Sequence, residues 1–474
     1  MKSEYDLVIL GGGIAGYVAA IRAATNGLKV AVVEKEKLGG TCLHKGCIPT
    51  KALLKSADVL QTVKRARQFG IETADVTVRF KDVQKRKETI VARLYKGVQH
   101  LLQKHKIDVY KGIGRILGPS IFSPNAGTIS VERADGKENT LLVPKHVIIA
   151  TGSSPRLIPG LEVDGTYVLT SDEALSLDRL PNSIIIVGGG VIGIEWASLL
   201  NDFGVHVTVV EQGERILATE DEAVVNELKK QFAKRGISII EKATLRPETV
   251  EKKAGMITVG LETDGETMKI SAEKLLVSIG RTANIEGIGL ENTNIEIKDG
   301  AIAVNRYYQT KEPHIYAIGD VIGGMQLAHV AAYEGMIAID HLLGNDPELL
   351  ERNRVPRCIY TKPEIASVGL SEEEAIRQGL SVKVRTFPFQ ANAKALIHGE
   401  EEGFIKWIVD QRNDDLIGIH IIGPHATELI AEAALAKLVD AANIEVAETI
   451  HPHPSLSEVF AEAAFAVAGK PIHI

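Results

Sequence analysis

One pattern of strand, glycine turn, helix and strand occurs twice in this chain. The first copy is "DLVILGGGIAGYVAAIRAATNGLKVAVVEK" (Asp6–Lys35) and the second is "SIIIVGGGVIGIEWASLLNDFGVHVTVVEQ" (Ser183–Gln212). They align at a constant offset of 177 residues. Gly11, Gly13 and Gly16 fall on Gly188, Gly190 and Gly193, Gly27 on Gly204, and Glu34 on Glu211. A lone GxGxxG is weak evidence, but here each copy sits between a strand and a helix, with an acid closing the next strand. The first glycine permits the tight turn, the second lets backbone approach a pyrophosphate, and the third lets helix pack on strand. The helix N-terminus then attracts the phosphates. A merely structural glycine turn could explain one copy; two matched copies favour two Rossmann-like dinucleotide sites. Two such sites suggest electron transfer between two cofactors. At the second site the Glu211 carboxylate suits a free ribose 2′-hydroxyl and would repel a 2′-phosphate, which favours NAD over NADP.

The 474 residues suggest roughly three domains at about 150 residues each. With 45% hydrophobic and 24% charged residues, the balance is that of an ordinary soluble globular chain. A net charge of -7 offers no general attraction to nucleic acid, and the basic runs Lys64–Arg67 and Lys81–Lys87 read as solvated helix faces. The N-terminus enters "YDLVIL", a buried-strand pattern and not a signal peptide. The most apolar window, Ser183–Leu200, holds four glycines and a glutamate, so no membrane span is expected. Three cysteines in such a length point to a reducing, cytoplasmic compartment.

The remaining layout follows from pattern. Residues 48–70 and 82–105 read as helical. "VPKHVIIATGSSPRLIPG" (Val143–Gly160) reads as a strand and glycine-rich turn that leaves the first nucleotide domain, and "KLLVSIGRTANIEGIGL" (Lys274–Leu290) as a similar exit from the second. "HIYAIGDV" ends near Asp320 and precedes a helix over Gln326–Leu343. From about Val355, "VKVRTFPF", "GFIKWIVD" and "LIGIHIIG" predict antiparallel strands, then helices: an α+β module.

"LGGTCLHKGCIPTK" (Leu38–Lys51) places Cys42 and Cys47 five residues apart. Zinc normally takes four ligands, and no second cysteine pair or nearby histidine cluster supplies them, so no metal is expected. A structural disulfide is possible, but closing so small a loop adds little to a domain with a large core. A redox pair fits best. Pro49 suits the first turn of a helix, so Cys47 falls near a helix N-terminus, where the dipole favours thiolate. Lys51 follows one turn later on the same face and adds positive charge, although an ordinary surface lysine would look the same. The intervening His44 and Lys45 take no chemical role from the sequence.

"GGTCLHKGCIPTKALL", with "GGGIAG", "IIATGS", "GGGVIGIEWAS", "YAIGDV" and "HPHPSLSE", resembles the flavin disulfide oxidoreductases over essentially the whole chain. Within them it resembles the branch that oxidises dihydrolipoamide. The resemblance implies an FAD-binding domain (1–150), an NAD-binding domain (151–280), a central domain completing the FAD site (281–350) and a dimer-interface domain (351–474). It implies that Cys47 faces the flavin and Cys42 exchanges with the substrate dithiol, an order the sequence alone does not give. Gly11, Gly13, Gly16 and Glu34 match FAD contacts, with Gly114, Thr151, Gly152, Asp320 and Ala328. Lys51 matches the lysine beside the flavin, and Glu195 its partner. Gly188, Gly190, Gly193, Glu211 and Gly280 match NAD contacts.

Disulfide exchange needs a base, because a thiol with a pKa of about 8.5 is little ionised at neutral pH. The tail "TIHPHPSLSEVF" offers His451 and His453, either of which alone could be a bland surface histidine. The resemblance implies that His453 is the catalytic base, oriented by Glu458 and supplied by the second subunit of a homodimer. Glu458 has a competing role, because Ser455–Glu458 is a capping-box pattern. Cys358 reads as a core thiol. The implied reaction oxidises dihydrolipoamide on a lipoyl domain, from an acyltransferase core or a glycine-cleavage carrier protein, and reduces NAD+. A glutathione-reductase-like member is the nearest alternative, but such enzymes prefer NADPH and show basic residues where Glu211 stands. The tail "FAVAGKPIHI" has no extra redox pair of the mercuric or thioredoxin reductase kind. A non-catalytic nucleotide-binding subunit would not need Cys42, Cys47, Lys51, His453 and Glu458 together.

Overall fold

Leu7, Val8, Ile9 and Leu10 are all buried, so the strand Lys2–Leu10 has apolar contacts on both faces. A strand of that kind belongs at the centre of a covered parallel sheet, and it lies there in the computed structural model of this chain. The structure describes residues 2–473 except 120–126, 134, 135, 137 and 264. Lys2–Leu10 pairs in parallel with Val30–Glu34 on one side and Thr140–Ile149 on the other. Asp108–Lys111 adds a further parallel strand beyond Val30–Glu34, while Ile129–Glu132 and Ile113–Ile116 continue the opposite side antiparallel. The seventh strand, Ile315–Ala317, arrives from far along the chain and pairs in parallel with Thr140–Ile149. The segment after residue 281 is thereby built into the first nucleotide module.

The second echo forms a parallel sheet of its own, in the order Ser238–Ile240, His206–Val210, Ser183–Val187, Lys274–Val277, Val168–Thr170. Between its strands the chain inserts an antiparallel meander, Ala243–Lys253, Met256–Thr263 and Glu266–Ala272. The sequence reading does not separate this meander. Only one face is apolar (Ile257, Val259 and Leu261 are buried), and polar residues interrupt the hydrophobic signal.

The last module is a five-stranded antiparallel sheet, in the order Arg357–Ile359, Glu364–Gly369, Leu416–Gly423, Phe404–Asp410, Val382–Pro388. The helices Ala426–Leu438, Asn443–Glu448 and Glu458–Val467 follow. Trp407 and Phe460 meet edge-on at 5.9 Å in its core, and the indole N–H donates to Asn443 Oδ1 at 2.8 Å. A buried ion group ties this module to the second nucleotide module: Lys406 Nζ lies 2.8 Å from Asp221 Oδ2 and 2.7 Å from Glu372 Oε2. The predicted fold class therefore holds: two Rossmann-like α/β units and a C-terminal α+β module. Among the described residues no helix is long and apolar enough to cross a membrane.

The predicted helices appear as Cys47–Lys64, Phe80–Lys104 and Ala328–Leu342. The capping box at the tail forms only in half. The helix begins at Glu458, whose Oε2 accepts from Ser455 N–H at 2.8 Å, while the Ser455 hydroxyl pairs with Ser457 instead.

Candidate active site

The two fingerprints have the same geometry. Gly11 (φ +105) and Gly188 (φ +108) stand in the left-handed region, and a Cβ there would lie 2.2 Å from Ala150 O and 2.4 Å from Ser278 O. A Cβ on Gly16 would meet Gly11 O at 1.9 Å, and on Gly193 would meet Gly188 O at 2.0 Å. These positions are glycine because backbone occupies the space. The middle pair differs: a Cβ on Gly13 would meet nothing nearer than 3.8 Å, and on Gly190 nothing within 4 Å. Both are N-caps, of the helices Ile14–Thr25 and Val191–Asp202, and neither helix start has a side-chain cap or an acid in its first turn. Free N–H groups beside an open glycine fit a phosphate.

Each strand-end glutamate folds back on its own loop. Glu34 accepts from Gly12 N–H and Glu36 N–H, both at 2.7 Å. Glu211 accepts from Gly189 N–H and Gly213 N–H, both at 2.6 Å. A carboxylate has about four acceptor positions, so each retains capacity for a ribose hydroxyl.

A cavity of about 1170 Å³ opens over the first fingerprint, and Gly11, Gly13, Glu34, Gly114, Thr151 and Gly152 line it. Its size and its phosphate-ready helix start fit an extended dinucleotide such as FAD. Lys51, Asp320 and Ala328 are not in that lining. Ala328 is the first residue of the helix Ala328–Leu342, which has no side-chain cap. Asp320 accepts from the Ser153 hydroxyl and lies 3.8 Å from Arg281 Nε. Gly280 (φ +107) immediately precedes Arg281, on the chain that leaves the second sheet.

Cys42 lies on the short helix Gly40–His44, and Cys47 is the first residue of Cys47–Lys64. Both are free thiols in this structure. The Cys42 side chain hydrogen-bonds Cys47 and is the largest influence holding the Cys47 thiol down, at about 7. Burial opposes this, the Lys51 cation reinforces it, and the Glu195 charge works against it. The same bond, with burial, pushes the Cys42 thiol up. The pair therefore has a thiolate-prone sulfur at the helix start and a protonated one beside it. Lys51 is itself held: Nζ donates to Glu195 at 2.9 and 2.7 Å and sits 4.5 Å from the Tyr360 ring centroid. Glu195 is buried and also accepts from Tyr360 N–H at 3.0 Å.

These contacts set the sign of a pH effect. Because the folded value lies below that of an ordinary thiol, the Cys47 thiolate is expected to form as pH rises through about 7. Removing either lowering influence must move that midpoint upward. Cys42→Ala should raise it more than Lys51→Met, since the cysteine hydrogen bond is the larger influence. Thiolate ultraviolet absorbance of the reduced protein against pH reads this directly.

His453 and Glu458 lie together, with Nδ1 2.8 Å from Glu458 Oε1. The carboxylate accepts, so Nδ1 carries the proton and Nε2 is left as an acceptor. Burial pushes the Glu458 carboxyl up, but bonds from Ser455 N–H and His453 outweigh it and hold it below the usual range. Glu458 thus both orients the imidazole and caps the chain at Ser455. His453 is exposed, with 74% of its side chain accessible. Neither residue lines the cavity, and neither bonds to the cysteine pair. His451 instead keeps only 6% of its side chain accessible, 2.6 Å from Glu432 and stacked on Phe460. Cys358 contacts Thr427 O at 3.9 Å, and burial pushes its thiol up to about 11.

Sequence reasoning misses Arg281, Asn284 and Asp172. Arg281 donates to the Ser153 hydroxyl and carbonyl, both at 2.7 Å, and Asn284 Nδ2 donates to Thr151 O at 2.9 Å. All three line the cavity. The contacts of all three bridge more than a hundred residues of chain, and no local pattern reports a contact at that separation.

Residues 5–335 match the family described as pyridine nucleotide-disulphide oxidoreductase, and residues 355–464 match its dimerisation domain. The chain is 62% identical over 473 residues to a dihydrolipoyl dehydrogenase of Bacillus subtilis, covering all of both chains. It is 39% identical to one of Zymomonas mobilis, again covering all of both. The crystal structure of LpdA from Mycobacterium tuberculosis superposes with a TM-score of 0.90 at 31% identity, over 98% of this chain and 99% of that one. The fold, the doubled nucleotide geometry and these matches agree: the chain belongs to the pyridine nucleotide-disulphide oxidoreductase family, whose dihydrolipoyl dehydrogenases use FAD and NAD.

Proposed function

We propose that the chain oxidises dihydrolipoamide, carried on the lipoyl domain of a partner protein, to lipoamide and reduces NAD+ to NADH. The carrying observation is the asymmetric pair: Cys47 at a helix start, its thiol held down by Cys42 beside it and by Lys51, with the Lys51–Glu195 pair alongside. FAD, when bound, relays the electron pair between the dithiol and NAD+. Every other task falls to the chain.

The resting pair is a Cys42–Cys47 disulfide. His453 of the partner subunit takes a proton from one substrate thiol at Nε2. The resulting thiolate attacks Cys42 Sγ, forming a mixed disulfide and breaking the Cys42–Cys47 bond. Cys47 leaves as a thiolate, which its helix start and Lys51 favour. The second substrate thiol closes the lipoamide ring on the mixed disulfide and passes its proton to Cys42, which leaves as a thiol. Two electrons and two protons have left the substrate: one proton is on Cys42, and the other stays on the imidazolium while Cys47 is a thiolate. Gly11, Gly13, Gly16, Glu34, Gly114, Thr151, Gly152, Asp320 and Ala328 hold FAD, and Gly188, Gly190, Gly193, Glu211 and Gly280 hold NAD. Segments 1–150, 151–280, 281–350 and 351–474 serve as FAD, NAD, central and interface domains.

His453 is supplied by the second subunit of a homodimer; among the described residues its side chain bonds Glu458 and neither cysteine of its own chain. The match to a dimerisation domain supports it. So does an uncovered apolar surface near the tail, where Leu435 is 59%, Val439 64% and Ile450 95% exposed. The lipoyl partner belongs to a 2-oxo acid dehydrogenase complex or to the glycine cleavage system, and the setting is cytoplasmic. The test is an assay of the purified protein. Dihydrolipoamide with NAD+ is expected to turn over, and glutathione disulfide with NADPH is not. The reverse preference would move the chain to the glutathione-reductase-like reading.

A further inference from the structure

His44 and Lys45 stand midway between the two cysteines, and the mechanism above does not use them. His44 anchors the loop: Nε2 lies 2.8 Å from Leu38 O, and the ring meets Tyr95 edge-on at 5.4 Å. Lys45 extends from this fixed loop between two acids. Its Nζ is 3.0 Å from Glu36 Oε2 and 3.7 Å from Asp172 Oδ2. Glu36 donates its backbone N–H to Glu34, so this arm reaches the strand end of the first fingerprint. Asp172 belongs to the short helix Ser171–Ala174, at the edge of the second nucleotide module. All three side chains line the large cavity, so the ammonium ties the redox loop to both nucleotide modules along the cavity wall.

Asp172 makes this arrangement consequential. Its Oδ1 is buried with no hydrogen-bond partner, and burial pushes its carboxyl up. Lys45 and the more distant Arg281 are the cations that offset this. With Oδ1 already without a partner, Asp172 relies on Lys45 beside Oδ2, so without Lys45 this wall is expected to loosen.

Resting on the reading of this cavity as the FAD site, we propose that Lys45 is a latch: a positioning residue that closes the cavity wall between Glu36 and Asp172 and slows the escape of bound FAD. The latch couples the redox loop to cofactor retention. Half of the Lys45 side chain is exposed, with 44% accessible, and exposed ion pairs add little to global stability. Its effect therefore falls on FAD release more than on unfolding.

The test uses the holoenzyme and measures the rate at which FAD passes an ultrafiltration membrane. Lys45→Met and Asp172→Asn are expected to release FAD roughly fivefold faster, about what one partly exposed ion pair can supply. Lys45→Arg, which keeps the charge, should stay within about twofold of the parent on the same ground. Salt should speed release from the parent more than from Lys45→Met, because only the parent has this ion pair to screen, a difference that simple loosening of the fold would not give. Release from Lys45→Met at the parent rate, or with the parent's salt dependence, overturns the latch alone. A parent chain that holds no FAD overturns the assignment of the cavity and the latch with it.

Discussion

Replacing Cys47 with serine is expected to lower dihydrolipoamide-dependent NAD+ reduction by at least about 10³-fold, the scale on which removing a covalent nucleophile acts. Serine has nearly the same shape, and the helix Cys47–Lys64 should keep its start at Gly46. The hydroxyl cannot form the disulfide, so the substrate's electron pair has no sulfur–sulfur bond to enter. Reduction of an artificial acceptor by NADH does not use the cysteines and is expected to persist, which separates this loss from unfolding. Steady-state rates with both electron acceptors check it. Near-normal turnover with dihydrolipoamide would remove the cysteine pair from the mechanism.

His453→Gln is expected to lower the same rate by roughly 10²- to 10⁴-fold, the usual range for loss of a general base. The deficit should depend on pH. Above about 8.5 the substrate thiol ionises unaided, so the gap to the parent should narrow as pH rises. A purely structural role for His453 would leave the gap constant. The same variant tests subunit sharing. Mixing it with Cys47→Ser under conditions that exchange subunits creates dimers with one complete site, from two inactive parents. Recovery of about a quarter of parent activity is expected for random pairing in a two-fold dimer. No recovery would place His453 and the cysteines in one chain.

Much of this was legible in the sequence for physical reasons. The glycines of the fingerprints are fixed by backbone collisions near 2 Å, so their spacing is written into the chain at Gly11, Gly16, Gly188 and Gly193. The helix starting at Cys47 is similarly local, because a proline two residues later restricts the backbone. What escaped is non-local. Arg281 meets Ser153 across 128 residues, and the Lys45–Asp172 contact joins two modules. The meander from Ala243 to Ala272 escaped because most residues of its two outer strands are exposed or only partly buried, and only Met256–Thr263 alternates clearly. Glu458 shows a third case: one side chain satisfies both the cap and the imidazole, and a linear pattern offers them as rivals.

The most direct measurement counts thiols by position. The oxidised holoenzyme is treated anaerobically with dihydrolipoamide, freed of excess reagent, alkylated and mapped by mass spectrometry. Two new thiols are expected, at Cys42 and Cys47, with Cys358 unchanged, and prior addition of NAD+ should abolish both. An unchanged thiol content, a new thiol at Cys358, or thiols that persist after NAD+ would contradict the account.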